Sequence, residues 1–201
     1  AVLSSLKTGA IELFQDLSAN QPTQGAAFLK DLIQMIGASK IGVSEVISQI
    51  VKDSDMRRTL ANTAALGAGL RQGRSTLRAA DTGDRLNSIF DRALTIARDS
   101  SSNEDRRIDA IECLAYTSFK SAGPTLLGLI DIQEQERLQL TALNSLDEYS
   151  EDDIPKSIIA QWSNLTPALR NRAMRLFLRR SAYTLILLRA VERGEISRQD
   201  I

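Results

Sequence analysis

The sequence predicts an all-α chain, an α-α superhelix of stacked antiparallel helix pairs. Three observations predict it. Apolar residues recur with a helical period in nearly every segment, and no stretch alternates with period two for long. Apolar residues make up 43% of the 201 residues but aromatics only 4%, so the core is one of Leu, Ile and Ala, which suit helices better than strands. A short Ala-centred motif also recurs three times in the second half.

The first half reads as a series of stripes. Leu3, Leu6, Ala10, Leu13, Phe14 and Leu17 share one face, and Phe28, Leu29, Leu32, Met35 and Ile36 share another. Val43, Val46, Ile47, Ile50 and Val51 form a shorter stripe, and Leu86, Ile89, Phe90, Ala93, Leu94 and Ala97 a longer one. Pro22-Thr23 separates the first two helices, and Gly37 is expected to end the second. A long helix begins near Ser54 and ends at Gly73. Residues 71–83, rich in Gly, Ser, Thr and charge, read as a hinge or a short irregular helix.

The repeat lies further on. Ala110-Ile-Glu-Cys-Leu114, Ala142-Leu-Asn-Ser-Leu146 and Ala173-Met-Arg-Leu-Phe177 share the form Ala-apolar-x-x-apolar, spaced by 32 and 31 residues. Each is followed by a turn and a second apolar helix, over 125–130, 154–162 and 183–191. Each pair would bury its stripe against its neighbours, the small Ala letting helices approach. The interval is shorter than a HEAT repeat, so spacing alone leaves the subtype of this HEAT/armadillo-like arrangement open. Ser102 with Asp105, and Ser150 with Asp153, read as capping boxes with Asp in the usual Glu place. Thr166-Pro167 reads as an N-cap with Pro at the first helical position, and Gly123-Pro124 as a second such opening. Gly194 closes the last strong helix. The expected organisation is one segment over 1–201, with less regular helices over 1–83 and the repeats over 84–201. No Met opens the chain and Ala1-Val2-Leu3 already reads as helix, so an internal piece of a longer protein is expected. The lack of a leader then says nothing about its address.

Composition removes much chemistry. With no His, the chain builds no His-bearing metal site, no Ser-His-Asp triad and no His-ligated haem. One Cys gives no internal disulfide framework and no Cys-only cluster. The 25 basic and 25 acidic side chains balance, so no bulk attraction draws the chain to nucleic acid or anionic lipid. The longest apolar run in the last helix, Leu185 to Leu188, is far too short to span a bilayer. Catalytic, cofactor-binding and metal-ligating residues are therefore assigned to none. Cys113 stands in an apolar stripe with no base to activate it and reads as packing. Acidic pairs such as Asp105 with Asp109 lie on polar helix faces, where nothing indicates a cleft. Trp162 reads as a plug between helix pairs rather than a stacking platform. Gly67-Ala68-Gly69 follows no strand and is no phosphate loop.

One basic feature stands out. Arg170, Arg172, Arg175, Arg179 and Arg180 crowd a helix that carries no acid, with Arg172, Arg175 and Arg179 on one face. They are the candidate interaction surface, fitted to phosphate or an acidic partner. The simpler reading pairs them with Asp147, Glu148, Glu151, Asp152 and Asp153 one repeat earlier, and is preferred.

Three stretches together carry a resemblance: Trp162-Ser-Asn-Leu-Thr-Pro-Ala-Leu-Arg170, Leu187-Leu-Arg-Ala-Val-Glu-Arg-Gly-Glu-Ile-Ser-Arg-Gln-Asp-Ile201, and more weakly Phe28-Leu-Lys-Asp-Leu-Ile-Gln-Met-Ile-Gly37. They resemble the HEAT-repeat segment of large planctomycete and verrucomicrobial proteins described as membrane-bound dehydrogenases or haem-binding-domain proteins. The resemblance covers most of the chain, best over about 84–201. In that family a propeller resembling sugar dehydrogenases precedes the helices, and a cytochrome-c-like domain with a Cys-x-x-Cys-His motif follows. The resemblance implies a scaffold, spacer and protein-interaction module that is not itself an enzyme. Haem c would sit only in a downstream domain, because this chain has no Cys-x-x-Cys and no His. The partners implied are neighbouring domains of the same chain or another protein, without membrane contact by this segment. The address implied is periplasmic, exported or membrane-associated. Two alternatives are a nucleic-acid-binding HEAT-like solenoid, which the balanced charge and single Trp disfavour, and a standalone protein-protein adaptor.

Overall fold

The computed structural model describes residues 9–20 and 26–200. The fold is all-α, and no strand occurs among the described residues. Twelve α-helices follow one another among them: α1 Ala10–Asn20, α2 Ala26–Ser39, α3 Val43–Lys52, α4 Met56–Gln72, α5 Leu77–Ala80, α6 Asn87–Arg98, α7 Glu104–Leu114, α8 Phe119–Gly128, α9 Glu136–Leu146, α10 Asp153–Ala160, α11 Pro167–Leu178 and α12 Ser181–Glu192. Short 3-10 turns cover Trp162–Asn164 and Arg198–Asp200. Leu3, Leu6 and Pro22-Thr23 lie outside the described residues. The chain forms two compact units that divide at Ile96/Ala97, inside α6, whereas the sequence pattern changes at 83/84.

In the first unit α2 lies along α4 in the most extensive helix contact, and α1, α3 and α5 dock around that pair. Glycine sets the closeness. A Cβ on Gly69 would stand 2.0 Å from the Gln34 carbonyl oxygen, and one on Gly37 would stand 2.8 Å from that of Leu66. Gly37 therefore does not end α2, which runs on to Ser39. It is a contact residue inside the helix, where any side chain would push the two backbones apart. Gly73 does follow the last residue of α4, as expected, and Asp55 caps its start by accepting from the amides of Arg57 and Arg58. Two stripes needed adjustment. Phe28 is 48% and Val51 44% exposed, at the margins of their faces, while Ile33, absent from the predicted stripe, is wholly buried. Residues 71–83 contain the short helix α5, capped by the Thr76 side chain and pinned by buried Leu77.

In the second unit the three Ala-centred motifs fall on α7, α9 and α11, with Ala110, Ala142 and Ala173 fully buried. α7 contacts α9, and α9 contacts α11; α8 contacts α10, and α10 contacts α12. α8 also meets α9, and α11 meets α12. Thr166 caps α11 as read, accepting from the Leu169 amide with Pro167 in the first turn. Gly194 closes α12 at φ +74°, with its amide and that of Glu195 donating back to Val191 and Ala190.

Three local readings are corrected. The cap of α7 is Asn103, not Ser102, whose hydroxyl donates instead to Asp99. Ser150 is not a cap: α10 starts after Asp152, which makes no side-chain cap bond. Pro124 lies within α8, which starts five residues earlier behind the Ser118 cap. Proline costs a helix one amide donor rather than forbidding it, so Gly123-Pro124 is no opening.

Candidate functional site

The five arginines of the predicted surface sit on α11 and the turn after it, and the structure sorts them into three roles. Arg172, Arg179 and Arg180 converge on Asp147, the residue after α9. Arg172 Nη2 lies 2.9 Å and Arg179 Nη1 2.6 Å from its Oδ2. Arg180 donates from both Nη atoms to the Asp147 carbonyl at 3.1 Å and lies 3.4 Å from Oδ1. Arg172 Nε also donates to Asn144 Oδ1. Asp147 is only 5% exposed, so this is a desolvated acceptor held by three cations. Asp147 belonged to the acidic set expected to pair with this helix, and the pairing is found there.

Arg170 belongs to a different arrangement, which sequence reading missed. It donates from Nε to the Trp162 carbonyl at 3.2 Å and lies over the Trp162 ring at 5.7 Å. Three residues before each repeat alanine stands such a donor. Buried Arg107 donates to the Ala97 carbonyl at 3.1 and 3.0 Å and pairs with Glu134 at 2.7 Å. Gln139 donates to the Asp131 carbonyl at 2.6 Å. Arg107, Gln139 and Arg170 thus brace three helices against the chain just before them. The visible signal was a long donor three residues ahead of each motif.

A second recurrence links one helix pair to the next. The Tyr149 hydroxyl donates to the Leu114 carbonyl and, at 3.2 Å, to that of Thr117. The Tyr183 hydroxyl donates to the Tyr149 and Glu151 carbonyls at 3.4 and 3.0 Å. Burial pushes the Tyr183 phenol up to about 12 despite nearby Arg180. Ser145 adds a 3.0 Å bond to the Ile111 carbonyl. Further out, Arg137 bridges to Asp105 at 2.7 Å and to Glu104 at 3.5 Å. Asp105 is therefore engaged by a cation, not poised with Asp109.

Arg175 is left. It is exposed and makes no hydrogen bond or ion pair among the described residues. With Leu140, Pro167, Ala168, Asn171 and Arg172 it lines an open groove of about 500 Å³ on α9 and α11. Cys113 is fully buried, and burial pushes its thiol up, the opposite of what a nucleophile needs. Trp162 is 3% exposed and stacks on Phe177 at 6.3 Å. Among the described residues, no group of three or more His, Cys, Asp and Glu is placed to hold a metal, and no helix is long and apolar enough to cross a membrane. No family model, curated protein or solved structure matches the chain.

Proposed function

We propose that the second unit is a HEAT/armadillo-like α-solenoid of stacked antiparallel helix pairs, and that it works as a non-catalytic scaffold, spacer and docking module. The observation that carries this reading is the recurrence of the same kinds of bond in successive helix pairs, with the helix-bracing donors at one register. Arg107, Gln139 and Arg170 each brace their helix to a main-chain carbonyl, and Tyr149 and Tyr183 each reach back to carbonyls of the preceding pair. A unit repeated in sequence, packing and bonding offers side faces for binding without a preformed pocket. The ionic groups support the same view: Asp147 absorbs three of the five arginines, so the basic helix is largely spent inside the fold. That weakens the nucleic-acid reading, which needs a free basic face.

Following the sequence resemblance, the setting we propose is a multidomain, exported redox protein. There the helices would hold a propeller dehydrogenase and a haem c domain in fixed relation, the haem lying wholly outside this chain. The full reading frame tests the setting. A signal peptide and propeller upstream with Cys-x-x-Cys-His downstream support it, and a gene encoding this chain alone overturns it. Expressing the flanking domains separately and measuring their binding to this chain by calorimetry tests the docking role.

A further inference from the structure

The repeat register does not stop at α12. The residues preceding the first helix of each pair are Asn103, Gln135 and Thr166. Ser197 falls at the next step of 31 residues, and its hydroxyl accepts from the Gln199 amide, just as Asn103 accepts from the Asp105 amide two residues on. The helical turn Arg198–Asp200 begins immediately after it. The residue before Ser197 is buried like the one before Thr166, Ile196 at 1% and Leu165 at 5% exposure, whereas Ser102 and Glu134, before the two earlier caps, are half-buried.

The outer side of α11 and α12 tells the same story from its packing. Aligning Ala110, Ala142 and Ala173 sets Ala115, Asp147 and Leu178 at one position. The first two are 4% and 5% exposed, and Leu178 is 63% exposed. Asp147 is covered there by arginines of the following pair. The same alignment sets Arg175 where Asn144 receives Arg172. Aligning buried Ile154 and Ile158 with Tyr183 and Leu187 sets Ile159, 7% exposed, opposite Leu188, 52% exposed. Two positions that are buried one step earlier, at Asp147 and Ile159, are therefore open on the last, and Arg175 stands where exposed Asn144 is engaged by an arginine of the following pair.

We propose that the face carrying Arg175, Leu178 and Leu188 is the seat of a fourth helix pair, whose first helix is opened by Ser197. The docking helix presents an apolar stripe to Leu178 and Leu188 and a carboxylate to Arg175, since α11 offers no acid of its own. This rests on the stacked-pair reading given above and names the neighbour that such stacking requires.

The test is thiol protection. Leu188→Cys places a reactive thiol on the face, while buried Cys113 stays silent. Its alkylation rate by a maleimide is measured in the 201-residue chain and in the product of the same gene that reads through Ile201 for one further repeat. The expected result is a fall of at least tenfold in the longer product, partly reversed by Arg175→Glu, with Leu178→Cys behaving alike. Val51→Cys on α3, exposed in the first unit, reacts at one rate in both. Equal rates at Leu188→Cys, or a reading frame that stops at Ile201, overturn the proposal. Failure of the stacking itself reads differently: Tyr183→Phe then leaves the stability of the 201-residue chain unchanged, whatever the alkylation rates.

Discussion

Asp147 concentrates more of the second unit's ionic structure than any arginine around it. Its carboxylate is nearly excluded from water, whereas Arg172 and Arg180 keep 18% and 29% of their side-chain exposure and Arg179 keeps 60%. The cost of losing the pairing therefore falls unevenly. Arg179→Ala is expected to cost under about 1 kcal/mol, as exposed pairs do, and Asp147→Ala about 2–4 kcal/mol, because it strands partly buried cations. Urea unfolding followed by Trp162 fluorescence distinguishes the two, since both sites lie in the unit that holds the only Trp. Two buried acids of another kind set the alkaline limit. Cys113 and Tyr183 are held protonated by burial. The unfolded chain releases those protons first, near pH 8.5 and pH 10, so stability is intact below these values and falls as pH rises through them. Unfolding free energy is expected to decline above about pH 8.5, by at most about 1.4 kcal/mol per pH unit for each group. Cys113→Ala delays the onset, and Tyr183→Phe removes the portion between pH 10 and about 12.

At the scale of elements, glycine separates what a linear pattern reveals from what it conceals. Gly73 and Gly194 end helices and were legible as stops. Gly37 looked the same in sequence, yet it sits where α2 meets the backbone of α4. Only the partner helix distinguishes the two uses, and periodicity along one helix carries no information about a neighbour's carbonyl. Gly69→Ala is expected to destabilise the chain by about 3 kcal/mol or prevent folding, because its methyl has no room beside the Gln34 backbone. Gly128→Ala, with open space around it at the end of α8, is expected to gain about 0.5–1 kcal/mol. Thermal melts of both read the contrast directly. The ladder of tyrosines is a third case. Tyr149→Phe and Tyr183→Phe each leave main-chain carbonyls short of a donor and are expected to cost about 1–2 kcal/mol. Neither tyrosine stood out in sequence, since the two occupy different places, one in the turn after α9 and one inside α12.

Taken over the whole chain, helix content, the Ala-centred repeat and the burial of Cys113 and Trp162 could all be read from the residues, because each depends on local period and polarity. The fate of the arginine helix could be read only halfway. The sequence offered both the cations and the acids of the preceding repeat; which acid met which cation depends on how α9 and α11 face each other. With charge balanced and most of that basic helix engaged, the chain is expected to give no shifted band with duplex DNA even at low ionic strength, and none of the steep salt response of phosphate binding. The hydroxyl bonds from Ser145, Tyr149 and Tyr183 all end on peptide oxygens, not on side chains. Those hydroxyls are indifferent to the side chains of the earlier pair, whereas the arginines on Asp147 and Arg137 on Asp105 are not. Evolution can then alter the outward residues of such a module freely, so long as those few acids stay with the cations that meet them.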